Sequence, residues 1–377
     1  MLHSSMLFSR KIEEESLSRF NALRYYPVHI GEQIHNRYTP AAKLGYGGYS
    51  TVWLCHDTLE SSYKTLKVGT LRKENDKSPN EIMVSKYLKS KSLDHNGRYC
   101  VRRTCDYFEI EAPNGYHPCF VYEPLGNSLL EYVELQPEKV VNLPQVKWIT
   151  TYLLHALDYL HQSGVVHTDV KLNNVLCTLP ENGNEILQGL VDNESQNPSP
   201  RKVVDDGYTI YESKKLSYDN PLGFPILCDL GMGVYGKEKY TGVVQPIPYR
   251  APEVILRMRW DSSIDIWNLG VLVWELLCGE FLFGHDNERD TLSTMISYLG
   301  PPPERFIDVS PVRSTYFDDR GSWNGFVIES IPLKERLEGT GDIDLFLDFL
   351  MSTLDWEPGR RKSAAQLLHH PWLSPDS

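Results

Sequence analysis

The 377-residue chain is long enough to bury a sizeable core and to divide into two lobes around one cleft. Its 38 basic against 50 acidic residues leave a net charge of −12, a field that repels nucleic-acid phosphates and favours basic partners, so direct nucleic-acid binding is not expected. Seven cysteines without a CxxC pair suggest neither a disulfide framework nor a zinc site. The most apolar stretch, residues 269–283, is interrupted by Glu275 and Glu280 and falls short of the about twenty apolar residues a bilayer requires, so no membrane span is expected.

In chain order, residues 1–24 open without an apolar core of secretory length, turn acidic at Glu13, Glu14 and Glu15, and are expected to be a flexible tail. Residues 25–125 carry β-rich runs at 50–54, 63–68, 99–108 and 119–122, with one helical stretch near 81–88, and so predict a small sheet-based lobe. Within it, Leu44-Gly45-Tyr46-Gly47-Gly48-Tyr49-Ser50-Thr51-Val52 forms a glycine-rich turn between strand-like stretches. Glycines there either let backbone amides approach phosphates without a Cβ in the way, or serve an ordinary hairpin that needs positive φ. Lys67 sits inside a strand, where it is either solvated or paired; Glu81 is the best partner and Glu74 the runner-up.

A hinge near residues 123–126 marks the lobe boundary, and residues 126–373 turn helical, with apolar residues at helical spacing over 148–161, 264–279, 291–299, 342–354 and 363–369. Residues 180–225 differ: polar, rich in Asn, Ser, Asp, Pro and Gly and without sustained periodicity, they predict a surface spacer or linker. Residues 374–377 are expected to be a short tail. The run His167-Thr168-Asp169-Val170-Lys171-Leu172-Asn173-Asn174, followed by Asp229-Leu230-Gly231, sets out phosphoryl transfer from a nucleotide to a hydroxyl. It supplies a carboxylate for the hydroxyl proton, a lysine for the moving phosphate, and an Asn/Asp pair of hard oxygen ligands suited to Mg²⁺.

Taken with Ala251-Pro252-Glu253 and Asp265-Ile266-Trp267, this ordered series resembles a eukaryotic protein kinase over residues 38–373. Tyr26-Pro27-Val28-His29-Ile30-Gly31, Ser50-Thr51-Val52-Trp53-Leu54, the His-Thr-Asp and Asp-Leu-Gly triplets and the long spacer between Asp169 and Asp229 narrow the resemblance. They are similar to the SR-protein kinases, which phosphorylate serines in Arg-Ser-rich splicing factors, and Tyr249-Arg250-Ala251-Pro252-Glu253 fits the wider CMGC group.

That resemblance implies an α+β bilobal kinase fold with a β-rich N-lobe and a mainly helical C-lobe, using ATP and Mg²⁺. Leu44 to Val52, Lys67, Tyr122, Glu123, Leu125, Asn174, Leu176 and Asp229 would surround the nucleotide, with Val52 and Leu176 as apolar walls. Asp169 would be the base, with Lys171, Lys67 and Glu81 completing the catalytic set, and Asn174 and Asp229 the metal ligands. Glu253 and Arg361 would form a buried ion pair, and His167 would pack rather than react. The resemblance further implies a monomer of the cytoplasm and nucleus acting on basic Arg/Ser-rich proteins.

Two alternatives stay open: a CMGC kinase with non-SR substrates, because residues 283–298 lack a long insertion and offer only Asp286, Glu288 and Asp290 as an acidic surface, and a pseudokinase scaffold. Thr168 stands where many kinases have an arginine that receives an activation-loop phosphate, so activity without such phosphorylation is expected, the loop being held by packing around residues 245–250.

Overall fold

The computed structural model describes residues 11–73, 76–77, 79–204, 207–218, 222–326, 329, 332–337 and 342–374. The strands, in chain order, are β1 (Tyr38–Gly47), β2 (Ser50–Asp57), β3 (Ser62–Gly69), β4 (Asp106–Ala112), β5 (Gly115–Tyr122), β6 (Val165–Val166), β7 (Val175–Cys177), β8 (Arg201–Val203), β9 (Thr209–Tyr211), β10 (Pro225–Leu227) and β11 (Val234–Tyr235). The helices that matter below are α1 (Asn80–Lys91), α2 (Leu129–Glu134), α3 (Leu143–Gln162), α4 (Gly183–Gln196), α5 (Pro252–Ile255), α6 (Ser263–Cys278) and α7 (Glu288–Leu299). Contacts divide the chain into two compact units, one of residues 1–82, 103–127 and 178–223, the other of residues 83–102, 128–177 and 224–377.

The first unit is built on a five-stranded antiparallel sheet in the order β1-β2-β3-β5-β4. The period-two alternation of its strands sorts side chains between faces. Trp53, Cys55, Leu66, Val68, Cys119 and Val121 form the core of one face, under Val28, Ile34 and Tyr38. The register Val52↔Lys67, Leu54↔Thr65, Lys67↔Phe120 and Thr65↔Tyr122 puts these six on the opposite face. The strand expected over 99–108 begins only at Asp106; Tyr99 and Cys100 belong to a 3-10 turn, Asn96–Cys100, capped by the His95 side chain on the Gly97 amide. Local capping there overrides the β propensity of Tyr, Cys and Val.

Two segments of this unit carry more structure than their polar composition suggested. The spacer holds regular elements: α4 lays Leu187 and Leu190 against Ala42 of β1 and Leu54 of β2, the Tyr63 hydroxyl donates to Gln188 at 2.7 Å, and the β8–β9 hairpin sends Tyr211 into the sheet core. The tail is not loose from residue 11 onward. Glu13–Ser16 form a 3-10 turn in which Glu14 is buried, bonded by the Lys43 ammonium and by the Tyr208 hydroxyl at 2.7 Å, while Lys202 pairs with Glu15 at 2.8 Å. The Tyr25 hydroxyl donates to the Gly47 carbonyl at 3.1 Å. Polar composition hid the turn at residues 13–16 because its buried group, Glu14, is a charge satisfied by distant partners. Residues 1–10 lie outside the described residues.

The second unit centres on α6, buried along nearly its whole length, and on α3, which starts from an Asn142 cap and buries Leu153, Leu154, Leu157 and Leu160. The ion pair implied by resemblance is present: Arg361 meets both oxygens of Glu253 at 2.7 Å, neither side chain is solvent-exposed, and the guanidinium lies over the Trp267 ring. Two short antiparallel ladders, β6 with β11 and β7 with β10, carry the functional loops. Among the described residues no helix is long and apolar enough to cross a membrane.

Candidate active site

Each unit carries part of the residue set. In the first, Gly45, Gly47 and Gly48 have ordinary φ, and a Cβ on any of them would meet nothing within 4 Å. Neither a left-handed turn geometry nor packing therefore requires glycine in this β1–β2 hairpin, and the open space at each glycine leaves its backbone approachable. Val52 lies opposite Lys67 in the β2–β3 ladder. The Lys67 ammonium reaches Glu81, in the first turn of α1, at 2.7 Å, so its charge has a partner on a strand face that is largely dry. Glu74, the other candidate, lies outside the described residues. The exposed Glu123 carboxylate pairs with Lys64 at 2.7 Å, so its side chain faces another cation, and Leu125 is half-buried beyond it.

In the second unit, β6 leads into a loop held by one buried carboxylate. Asp265, at the start of α6, accepts from the His167 and Thr168 amides at 2.8 Å each and lies 2.9 Å from His161 Nε2. These bonds fix Thr168 at φ +72°, a strained conformation for a threonine that turns the following residue out of the core. His167 Nδ1 accepts from the Asp169 amide at 3.2 Å and its Nε2 lies 2.9 Å from the Cys228 carbonyl, so the ring is the Nε2–H tautomer and serves as a strut. The Asp169 carboxylate accepts from Lys171 Nζ at 2.8 and 3.1 Å and from Asn174 Nδ2 at 2.7 Å. Asn174 Nδ2 also meets the Asp169 carbonyl at 2.8 Å, which turns the amide oxygen away from Asp169.

The β7–β10 ladder explains how residues far apart in sequence come together. Val175 pairs with Leu227, and the Cys228 amide donates to the Asn174 carbonyl at 2.7 Å, so Asn174 and Asp229 lie at the same end of one ladder. Asp229 is exposed and left-handed, at φ +65°. An amide oxygen and a carboxylate are hard donors that fit Mg²⁺, which takes one or two protein ligands and completes its shell with phosphate oxygens and water. Among the described residues no cluster of three or more His, Cys, Asp or Glu side chains could hold a metal unaided. Leu176, the expected apolar wall, is half-buried on β7.

Two contributors were missed in the sequence. Tyr249 is buried and donates its phenol to Glu275 of α6. Burial pushes the Glu275 carboxyl up to about 7. An acid inside the apolar stretch 269–283 was the available signal, since a buried carboxyl needs a partner.

The description "Protein kinase domain" matches residues 38–202 and 218–373. The chain belongs to the protein kinase family. A serine/threonine protein kinase of Aspergillus fumigatus is 38% identical over 96% of this chain and 91% of its own length. The serine/threonine-protein kinase SRPK of Physarum polycephalum is 30% identical over 96% and 92%, and protein kinase dsk1 of Schizosaccharomyces pombe 27% identical over 98% and 86%. These relatives make it a serine/threonine kinase of CMGC type, similar to the SR-protein kinases. A solved kinase domain at TM-score 0.74 and 24% identity, covering 94% of this chain and 100% of that one, shows the shared fold: an antiparallel-sheet lobe and a helical lobe. The match leaves out residues 203–217, which include β9 of the β8–β9 ladder.

Proposed function

We propose that this kinase transfers the γ-phosphoryl group of MgATP to serine or threonine in Arg/Ser-rich segments of proteins linked to mRNA splicing, acting as a monomer in cytoplasm and nucleus. The observation that carries the transferase reading is the intact Asp169–Lys171–Asn174 constellation, held by Asp265 and His167. Asp169 accepts the proton of the attacking hydroxyl and orients it. Lys171, already at 2.8 Å from that carboxylate, lies where it can neutralise charge on the transferred group. Lys67, fixed by Glu81, holds the nucleotide phosphates; Asn174 and Asp229 would hold Mg²⁺, which when bound neutralises the phosphate oxygens. A scaffold reading would expect one of these groups to be lost.

The test is kinetic. Asp169→Asn is expected to lower kcat by about 10²–10⁴-fold with nucleotide affinity retained. Asp229→Asn should instead weaken MgATP binding. Wild-type turnover in Asp169→Asn would defeat the assignment, and a wild type that binds nucleotide without transferring phosphate would favour the scaffold.

One observation favours a non-SR substrate. Of the acids at 286–290, Glu288 is held by Arg250 at 2.6 Å and Arg257 at 2.8 Å, which leaves less free negative charge for an Arg-rich peptide. A peptide panel with Arg-Ser, acidic and Pro-directed members separates the two readings by kcat/KM.

A further inference from the structure

We propose that the Tyr122 hydroxyl is a positioning group for phosphoryl transfer, locking Glu81 so that Lys67 is held ready for the nucleotide. This rests on the kinase reading above and assigns Tyr122 a task other than lining the nucleotide.

Glu81 presents two carboxylate oxygens on a side chain that is nearly buried. Lys67 donates to Oε2 at 2.7 Å, and the Tyr122 phenol donates to Oε1. Both oxygens are thus engaged by groups from neighbouring strands of one sheet, Lys67 on β3 and Tyr122 on β5. The register places Lys67 opposite Phe120 and Thr65 opposite Tyr122, so the lysine and the tyrosine project from the same face two rungs apart, and a carboxylate between them can meet both.

The tyrosine is itself closely packed. It is 3% exposed, stacks on Phe120 with an interplanar angle of 15°, and shares a cluster with Ile82 of α1 and with Phe120, which Tyr107 also packs against. A two-torsion side chain anchored by stacking delivers its hydroxyl with little rotameric freedom. A carboxylate held by the lysine alone keeps one flexible ion pair. Held from both sides, it is fixed in angle as well as distance, and its removal from water is matched at each oxygen. The lysine inherits that order, because its ammonium position follows the carboxylate it meets. A phenylalanine would fill the same volume, so the hydroxyl contributes through the hydrogen bond and not through packing.

The decisive variant is Tyr122→Phe in the full chain, compared with Glu81→Gln and the double variant. Tyr122→Phe is expected to lower kcat about tenfold, the loss of one hydrogen bond to a charged group, while KM for ATP changes by no more than about twofold. In the double variant the tyrosine change should cost nothing beyond Glu81→Gln alone, because the two act as one unit. Wild-type kcat in Tyr122→Phe, or losses that add in full, would overturn the proposal. Hydrogen exchange over residues 80–91 supplies a readout independent of turnover. Faster exchange in Tyr122→Phe supports the lock and unchanged exchange refutes it, even if the wild type transfers no phosphate and the kinase reading itself falls.

Discussion

At the residue scale, Glu275 shows how one buried acid makes stability depend on pH. Burial raises its carboxyl to about 7, with the Tyr249 phenol pulling the other way, whereas an unfolded glutamate titrates near about 4.3. Below the lower value both states are protonated. As pH rises between the two values the unfolded chain loses its proton first, so stability falls, by about 4 kcal/mol once pH passes 7. Glu275→Gln should flatten the decline of Tm between pH 5 and pH 8 relative to wild type; an equally steep decline would show that other groups set it. Much of the site was legible in the sequence, because Asp169, Lys171, Asn174 and Asp229 sit in short motifs whose spacing reflects local backbone geometry. Asp265 was legible only as part of a motif, and the Tyr249–Glu275 and Tyr122–Glu81 bonds were not legible at all. They join residues 26 and 41 positions apart, and no local pattern encodes them.

At the scale of elements, the segment from Asp229 to Glu253 is held by its own contacts. Tyr240 and Trp260 exchange backbone bonds at 2.8 and 3.0 Å and stack their rings, and Thr168 Oγ1 donates to the Met232 carbonyl at 3.0 Å. Gln245, at φ +65°, donates to Ile264 and Asn268 at 2.9 Å and accepts from Ala251. Arg250, a basic residue of this segment, is held by Glu288 and by the Gln245 carbonyl. Phosphatase-treated protein from bacteria, and the Tyr240→Phe/Thr241→Ala variant, should therefore retain the kcat of untreated wild type; a large loss in both would show that a phosphate orders the loop. Regular elements such as β2, β3, α3 and α6 were readable from periodicity because each buries one face or all of itself. The spacer helix was not, although Leu187, Leu190 and Val191 have helical spacing, because polar residues surround a stripe that needs the sheet to cover it.

At the scale of the whole molecule, the net charge of −12 favours basic peptides at long range. Over a rise from about 0.05 to 0.5 M salt, kcat/KM for an Arg-Ser peptide should fall steeply as the Debye length shrinks; a flat profile would mean that charge steering plays no part. The division of the chain into units also governs how the molecule can be made. The sheet-bearing unit draws on three separated segments, the last ending at residue 223, and Ala42 and Leu54 stay uncovered until Leu187 and Leu190 arrive. Synthesis at about 5–20 residues per second means a wait on the order of tens of seconds between initiation and the emergence of that last segment. During that time the early strands display an apolar face on the ribosome. A message cut short before the spacer would thus yield an adhesive fragment instead of a small working lobe, so the spacer acts as the closing piece of biosynthesis.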